Sequence, residues 1–519
     1  MAGPGERGPA DRTGHRRVAD ARPGRVPRRP RSRPTGRSVG LAAQDTLGTR
    51  RLAQLVRPIV WCRATDRIRD VARQISAADL SCALVRADGV LGIVTDHDFR
   101  HRVATGEVGL DQPIAALAAF PVLTIEAEAT QSAALLRMLE HAVHHLVVTG
   151  PAGEPVGVVR AVDLAQPEVR DPLLIRSAIA AADTIDEVAA AARRLPATLV
   201  ALHDDRVSPL HIGALHAAMV DAAVRRVLRL RSEPALAAER VSWVVLGSLA
   251  RREPLPRSDL DTALVWADPD GPKDRPPDPA EIRAAAGRVL DDLRHCGFVP
   301  CPSGTNADNP VFSRAASAWR TASRDWQRDP AAGQGLLMSA VIADSRPLTQ
   351  PMLGRSLTAS LWPPNRHTRV LRALLDEALG FRPPTGFVRD FVVESSGEHR
   401  GQLDLKKGGL APIVALARWL AIVGGEVSGN TPERLRRGAD HGLLTADEAQ
   451  TLTGAFEDIY ALVLDHEVRA LRGGDLPTTF VAPRDLDTLT RRHLRESFRA
   501  VRAIQARIDE HWLARLDRV

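Results

Sequence analysis

VSWVVLGSLARREPLPRSDLDTALVWA, residues 241–267, contains two short apolar runs joined by a turn and a loop. The first run, Val241 to Leu246, is followed directly by a Gly-Ser pair. The second run, Thr262 to Trp266, follows an Asp-x-Asp sequence. Apolar runs of this length, bounded by Gly, Pro and Ser, are typical of buried strands. The stretch therefore predicts a strand, a tight turn, a loop and a second strand.

Side chains suited to a nucleoside triphosphate lie at the joints of this stretch. Gly247 allows close backbone approach to a ligand, Ser248 offers a hydroxyl and an N–H, and Arg251 adds positive charge. Asp259 and Asp261 are two residues apart on an extended segment, so their side chains project from the same face. Two adjacent carboxylates repel each other unless a cation lies between them, and Mg²⁺ prefers such oxygen ligands together with substrate phosphates. A phosphate-binding turn beside a Mg²⁺ site is the arrangement for nucleotidyl transfer.

These residues resemble the motif of the nucleotidyltransferase superfamily that includes DNA polymerase beta, in which a Gly-Ser turn precedes Asp-x-Asp. The resemblance is closest to the PII-protein uridylyltransferase-like group. The matching positions are Gly247, Ser248, Arg251, Glu253, Ser258, Asp259 and Asp261. The resemblance implies that the turn binds the triphosphate and that the two aspartates are the catalytic metal ligands. A solvated turn with unrelated acids is the alternative.

The composition is that of a globular protein with several domains. The 519 residues are 44% hydrophobic, which predicts three or four domains with ample core. The net charge of +7 is concentrated in residues 1–40, where 11 Arg stand against three acids and give a net of +8. The remainder is therefore near −1 and gives no electrostatic case for nucleic acid. Few cysteines, no signal core and no run of ~20 apolar residues predict a cytoplasmic protein without a membrane span.

Residues 1–48 are rich in Arg, Pro and Gly and are predicted to be a disordered basic tail. Such a tail can bind nucleic acid or acidic partners, or it can have no role. A misassigned start codon is a further explanation.

Residues 49–168 repeat a pattern of helix, strand, turn, strand and helix start. The tandem resembles a CBS-domain pair. In its first copy, Gly92-Ile-Val-Thr95-x-x-Asp98, the resemblance implies an adenine-nucleotide site with Thr95 at a phosphate and Asp98 at the ribose. The second copy has Arg160 and Asp163 at these positions, and Arg160 is able to pair with a phosphate. Because CBS pairs also serve as ligand-free spacers, nucleotide binding and a spacer role both remain open.

The other sequence expectations concern the segments on either side of residues 241–267. Residues 169–238 predict three or four linker helices, and residues 239–352 the transferase core. Within that core, Asn309 lies in a loop resembling the family's Cys-Pro-Gly…Asn-Pro sequence, where it would contact the nucleotide or form a turn. The apolar run Leu336 to Ala343 predicts a strand with Asp344 at its end. The resemblance makes Asp344 a third catalytic carboxylate, acting as base or second-metal ligand; a turn or capping aspartate is the alternative.

Residues 353–519 are predicted to be helical and resemble the substrate-binding domain that follows the transferase domain in the same family. Lys406 would reach the triphosphate or a partner, or form an ordinary solvated pair with Lys407. We expect the long helix near the C-terminus, Asp485 to Leu516, to pack the bundle.

The predicted fold class is α+β multidomain: a tandem CBS (βαββα) pair, a helical linker, a polymerase-beta-like α/β core and a C-terminal helical bundle. The predicted function is Mg²⁺-dependent transfer of a nucleoside monophosphate from its triphosphate to a protein or small-molecule acceptor. Adenine nucleotide at the CBS pair would regulate it, in a homodimer without membrane or nucleic-acid partners. The alternative is a non-catalytic nucleotide-sensing signalling protein. Leu249-Ala250 and Thr262 favour that alternative, because relatives usually carry Glu-Gly and Asn at these positions.

Overall fold

The computed structural model describes residues 51–519 except for 88, 162–163, 165–166, 238, 270, 272–276, 330–334, 360, 362–367, 386–390 and 517–519. Two sequence predictions, the basic tail of residues 1–48 and the nucleotide contact of Asp163, lie outside the described residues.

The first repeat forms a three-stranded sheet covered by a helix. In chain order its elements are β1 (Trp61–Arg63), α1 (Ile68–Ala77), β2 (Cys82–Ala87), β3 (Val90–Thr95) and α2 (Asp96–Asp98). Strand β1 pairs parallel to β2, and β2 pairs antiparallel to β3. Ile68, Val71 and Ile75 recur at helical spacing and are buried against the sheet. The apolar period therefore sets which face of α1 packs inward.

The second repeat has the same order of elements. They are β4 (Thr124–Glu126), α3 (Gln131–His141), β5 (His145–Thr149) and β6 (Pro155–Arg160), with β4 parallel to β5 and β5 antiparallel to β6. The two sheets share one buried apolar cluster, formed by Cys82, Leu84, Val147 and Val158. The two repeats therefore pack together.

Each repeat is extended by the segment that leads into the other one. Ile93 and Ala119 exchange backbone hydrogen bonds, and so do Arg57 and Val158. A Cβ atom on Gly157 would lie 2.8 Å from the carbonyl oxygen of Arg57. The motif glycine of the second repeat is therefore required by a backbone crossing.

Four linker helices follow: α4 (Pro167–Ala181), α5 (Ile185–Ala192), α6 (Leu195–Asp204) and α7 (Pro209–Arg231). Helix α7 packs against α3 and α4 on one side and against helices of the transferase and C-terminal segments on the other. It thus connects the CBS repeats to the rest of the protein.

The transferase core is a four-stranded sheet in the order β10-β7-β8-β9. Its elements are β7 (Val241–Leu246), α8 (Gly247–Ala250), β8 (Thr262–Trp266), α9 (Pro279–His295), β9 (Ser313–Ala315), α10 (Ala316–Arg328), α11 (Gly335–Ala343) and β10 (Ser345–Pro347). Every residue of β7 and β8 is buried, as the continuous apolar runs predict. The predicted strand at Leu336 to Ala343 is wrong, because this run forms α11. A continuous apolar run does not distinguish a buried strand from a buried helix.

The remaining elements are mainly helical. They are α12 (Pro351–Ala359), α13 (Thr368–Gly380), β11 (Leu403–Asp404), a π-helix (Leu405–Leu410), α14 (Ala411–Gly424), α15 (Thr431–Asp440), α16 (Ala446–Gly473), β12 (Phe480–Val481) and α17 (Thr488–Leu516). In the part of the chain that the structure describes, only Leu405–Gly424 has the length and apolar character of a membrane span, and most of this segment is buried. This is the pattern of a core helix. The predicted α+β multidomain fold class is confirmed.

Candidate active site

The end of β7 and the start of β8 bring the Gly-Ser turn and the acid pair together. The amide of Leu246 donates to the carbonyl oxygen of Asp261 at 3.0 Å. Gly247 has φ +60°, and a Cβ atom on it would lie 3.0 Å from Oδ2 of Asp261. The carboxylate of Asp261 therefore lies directly over the turn, and the close approach and the left-handed backbone both favour glycine.

Ser248 is the second residue of the single turn of α8 and is partly exposed. Its carbonyl oxygen accepts from the amide of Glu253 at 2.8 Å, which closes the backbone after the turn. Among the described residues, no side chain or backbone group forms a hydrogen bond with the Ser248 hydroxyl. This hydroxyl is therefore available to a ligand.

Asp259 and Asp261 are both partly buried and close enough for their charges to interact. Burial raises the pKa of Asp261, a hydrogen bond from the Cys301 thiol opposes this, and the negative charge of Asp259 adds to the increase. A bound cation would relieve this repulsion. Within the described ranges, no group of three or more His, Cys, Asp or Glu side chains is placed to hold a metal. Two carboxylates suit Mg²⁺, which commonly completes its shell with water and substrate phosphates.

The loop after α9 supplies a thiol to the site that sequence reasoning did not identify. The side-chain amide of Asn306 accepts a hydrogen bond from the backbone N–H of Cys301 at 3.0 Å and donates one to its carbonyl oxygen at 2.9 Å. These two bonds fix the backbone of Cys301. Burial and the carboxylate of Asp261 both raise the pKa of the Cys301 thiol. Asn309 donates to Gly304 and accepts from Val311, at 2.7 and 2.9 Å. These bonds place Asn309 in a turn, and its contact with a nucleotide stays a prediction.

Arg251 and Asp344 form a buried ion cluster. Arg251 is 8% exposed and bonds Glu253 and Asp344. The carboxylate of Asp344 is 1% exposed and accepts from Arg251, Arg418 and Arg434. Burial alone would raise the pKa of Asp344, but the three positive charges outweigh it and hold the pKa well below its usual range.

This cluster does not fit the roles that the sequence suggested for its members. The carboxylate of Asp344 has no room to accept a proton from an acceptor or to bind a second metal, because three guanidinium groups already occupy it. The guanidinium of Arg251 is likewise hydrogen-bonded to two buried acids, Glu253 and Asp344, and is not free to bind a phosphate. The backbone of Asp344 nevertheless serves the turn, since its carbonyl oxygen accepts from the amide of Gly247 at 2.9 Å.

The C-terminal domain contributes Lys406 to the site. Lys406 lies on the π-helix and is exposed, and its positive charge lowers the pKa of both Asp261 and Glu467. The carboxylate of Asp404 caps the start of this π-helix by accepting from the amides of Lys406 and Lys407 at 3.0 and 2.9 Å. Lys406 therefore lies near the acid pair, and its contact with a triphosphate or a partner stays a prediction.

Helix α16 holds the loop that leads into the acid pair, and nothing in the sequence pointed to this. The buried carboxylate of Glu467 accepts from the amide of Arg257 at 3.1 Å, and Tyr460 donates to the carbonyl oxygen of Pro254 at 3.0 Å. Burial raises the pKa of Glu467 to about 7. Arg257 also donates to the carbonyl oxygen of Pro477 at 2.7 Å. The position of Asp259 thus depends on the helical domain.

In the CBS pair, the first motif forms a helix cap. The amide and hydroxyl of Thr95 both donate to Oδ2 of Asp98, at 2.8 and 2.7 Å. Burial raises the pKa of Asp96 in the first repeat, and the charges of Arg100 and of Arg160 in the second repeat oppose this increase. The two motifs therefore lie close together across the pair.

Comparison with protein families accounts for most of the chain. The CBS domain family matches residues 52–105 and 115–166. The family described as "Putative nucleotidyltransferase DUF294" matches residues 193–333, and the one described as "Putative nucleotidyltransferase substrate binding domain" matches residues 368–512. The recognition of a CBS pair, a nucleotidyltransferase domain and its substrate-binding domain is confirmed.

No curated protein matches the chain. Among solved structures, a CBS domain protein from Pyrobaculum aerophilum complexed with AMP is 27% identical, with a TM-score of 0.21, over 23% of this chain and 94% of that one. A CBS-domain protein from Agrobacterium tumefaciens is 22% identical, with a TM-score of 0.21, over 22% and 90%. The CBS domain of a bacterial CNNM/CorC family Mg²⁺ transporter in complex with ATP is 17% identical, with a TM-score of 0.20, over 23% and 86%.

Proposed function

We propose that this protein transfers a nucleoside monophosphate to a protein or small-molecule acceptor in a Mg²⁺-dependent reaction. The chain combines a CBS domain pair with the DUF294 nucleotidyltransferase domain and its substrate-binding domain. The closest parallel is PII-protein uridylylation. The observation that carries the proposal is the position of the Asp261 carboxylate over Gly247, with Asp259 beside it. A triphosphate on the turn would meet a metal on the acid pair.

Asp259 and Asp261 would hold Mg²⁺, and their mutual repulsion in a partly buried site fits a divalent cation. When bound, Mg²⁺ supplies charge neutralisation at the phosphates and orients them.

The residues of the turn would bind and orient the triphosphate. Gly247 permits close approach, the Ser248 hydroxyl donates to a phosphate oxygen, and Lys406 from the C-terminal domain offsets phosphate charge. An acceptor hydroxyl then releases its proton to solvent water as its oxygen attacks the α-phosphorus, the bond to the bridging oxygen of the β-phosphate breaks, and pyrophosphate leaves. Arg251 and Asp344 hold the turn in place and do not touch the substrate.

We further propose that adenine nucleotide at the CBS pair regulates this site. The contact that supports it is an ion pair between Glu140 on α3 and Arg252, two residues after α8. A nucleotide would change activity only if it bound two arrangements of this contact with different affinities.

Transfer of label from α-phosphate-labelled nucleoside triphosphates to components of a cell lysate, with Mg²⁺, tests the proposal. Wild type and the control Asp308→Ala, which removes an exposed acid of the same domain, should transfer label. Asp259→Ala and Asp261→Ala should each lose at least about 100-fold, because metal-held charge stabilisation contributes several kcal/mol. Equal transfer by all four proteins would refute the assignment of the metal ligands.

A non-catalytic nucleotide sensor is the second candidate, and one observation favours it. The third acid, Asp344, is saturated by arginines, so only two carboxylates remain at the site. Adenine-nucleotide binding by wild type and both aspartate variants, without label transfer from any triphosphate, would support the sensor.

A further inference from the structure

A cavity lies where the second CBS repeat, the linker helices and the transferase core meet. Its volume is about 360 Å³, and its walls are the C-terminal end of α3, α4, α7 and Arg252. Cavities of ~300–1,000 Å³ are the usual size of small-molecule sites. None of the residues assigned above to the phosphate turn, the acid pair or the CBS motifs lines it.

The walls of this cavity are strongly basic. Its arginines are Arg176, Arg225, Arg226, Arg229 and Arg252. Its two acids are already engaged, Glu140 by Arg252 and Asp221 by both terminal nitrogens of Arg346. The lining therefore carries an excess of three positive charges.

Three of these arginines face the cavity without an acid of their own. Among the described residues, no carboxylate lies within ion-pair distance of Arg176, Arg225 or Arg229. Nε of Arg225 donates to the carbonyl oxygen of Leu348 at 3.1 Å, which anchors its side chain. Arg226 differs, because it donates to the carbonyl oxygen of Ala182 and pairs with an aspartate.

The electrostatics agree with this geometry. Burial lowers the pKa of Arg176, and the nearby charge of Arg225 lowers it further. Burial likewise lowers the pKa of Arg225; the nearby carboxylate of Asp221 opposes this decrease, and the charges of Arg346 and Arg229 add to it. Burial lowers the pKa of Arg252 to about 10. Partly desolvated like charges destabilise the folded protein unless an anion lies between them.

We propose that this cavity binds the phosphate or polyphosphate group of a small soluble anion, with Arg176 and Arg225 as its main ligands and Arg229 at the rim. Guanidinium groups match phosphate oxygens in charge and bidentate geometry. Because Arg252 lines the cavity and also pairs with Glu140, the occupant would lie against the contact between the CBS repeat and the catalytic turn.

Calorimetric titration of the full chain with inorganic tripolyphosphate, and separately with ATP, tests this site. Arg176→Ala and Arg225→Ala should each weaken tripolyphosphate binding at least ten-fold. Arg324→Ala, which removes an exposed arginine on α10, should leave it unchanged. Tighter binding of ATP would identify a nucleotide as the source of the phosphates, and equal binding a bare polyphosphate. No binding to wild type, or binding that both cavity variants retain, as expected for attachment to the basic residues 1–48, would overturn the proposal.

Hydrogen exchange of the wild-type protein gives a test that does not depend on the variants folding. Tripolyphosphate should slow amide exchange in α4 and in the C-terminal half of α7. Unchanged exchange in both helices at saturating tripolyphosphate would equally overturn the proposal.

Discussion

The amide of Gly247 donates a 2.9 Å hydrogen bond to the carbonyl oxygen of Asp344, a residue whose carboxylate is held by three arginines. Two of these, Arg418 and Arg434, belong to the C-terminal helices α14 and α15. The Gly-Ser turn is therefore supported by an ion cluster that the helical domain completes. Loss of that cluster should change the turn without touching a substrate ligand.

Asp344→Asn should destabilise the whole protein. The substitution leaves three guanidinium groups without their buried anion, and breaking a buried ion pair in this way costs about 3–5 kcal/mol. Urea unfolding followed by circular dichroism measures the change, with Asp308→Asn as the exposed control. A variant as stable as that control would show that the cluster contributes nothing.

The same cluster predicts acid lability. Because the pKa of Asp344 is held well below its unfolded value of ~3.9, its stabilisation is present above that value. The stabilisation is lost as the pH falls toward the lower folded pKa. The wild type should lose stability more steeply than Asp344→Asn below about pH 4, and parallel unfolding curves over this range would contradict the assignment.

Gly247→Ala should affect the site more than the fold. The new Cβ would lie 3.0 Å from Oδ2 of Asp261, and the alanine would have to adopt a left-handed backbone conformation. Gly297→Ala is the matched control, because Gly297 has φ +93° and nothing within 4 Å of its Cβ position. Both variants should lose about 1–2 kcal/mol from backbone strain. Only Gly247→Ala should weaken nucleoside triphosphate binding, measured by titration, and equal binding by the two would argue against a ligand on the turn.

Glu467→Gln should remove a pH dependence of stability. Burial raises the pKa of Glu467 to about 7 in the folded protein. As the pH rises, Glu467 therefore keeps its proton to a higher pH in the folded protein than in the unfolded chain, where its pKa is ~4.3. Stability contributed by this group is complete below the unfolded pKa and declines as the pH rises to about 7, by on the order of 3 kcal/mol. Urea midpoints at pH 5 and 8 should therefore differ more for wild type than for Glu467→Gln; an identical pH response would contradict the buried acid's role.

Gly157→Ala should loosen the CBS pair. A Cβ atom there would lie 2.8 Å from the carbonyl oxygen of Arg57. Arg57 cannot move away easily, because both its N–H and its carbonyl oxygen are hydrogen-bonded to Val158. Overpacking of this kind costs about 1–3 kcal/mol. Gly109→Ala, which adds a Cβ atom into open space, is the control. Thermal unfolding should show a lower midpoint for Gly157→Ala alone.

Local sequence patterns were sufficient for the repeats and for the centre of the site. The Gly-Ser turn and the Asp-x-Asp segment belong to two strands that pair as neighbours, so their meeting follows from short-range topology. The same is true of the CBS repeats, whose glycine spacing and apolar periods reflect local packing. The roles assigned to these residues in binding and catalysis stay predictions.

The tertiary structure alone decided which charged groups face the ligand and which hold the scaffold. Asp344 follows a helix rather than a strand, because an unbroken apolar run carries no period that distinguishes the two. Its partners Arg418 and Arg434 lie 74 and 90 positions away. Lys406, in the C-terminal domain, lies near enough to Asp261 to lower its pKa. A charged residue in a sequence states its sign but not its partner, since pairing depends on long-range packing that brings distant segments into contact.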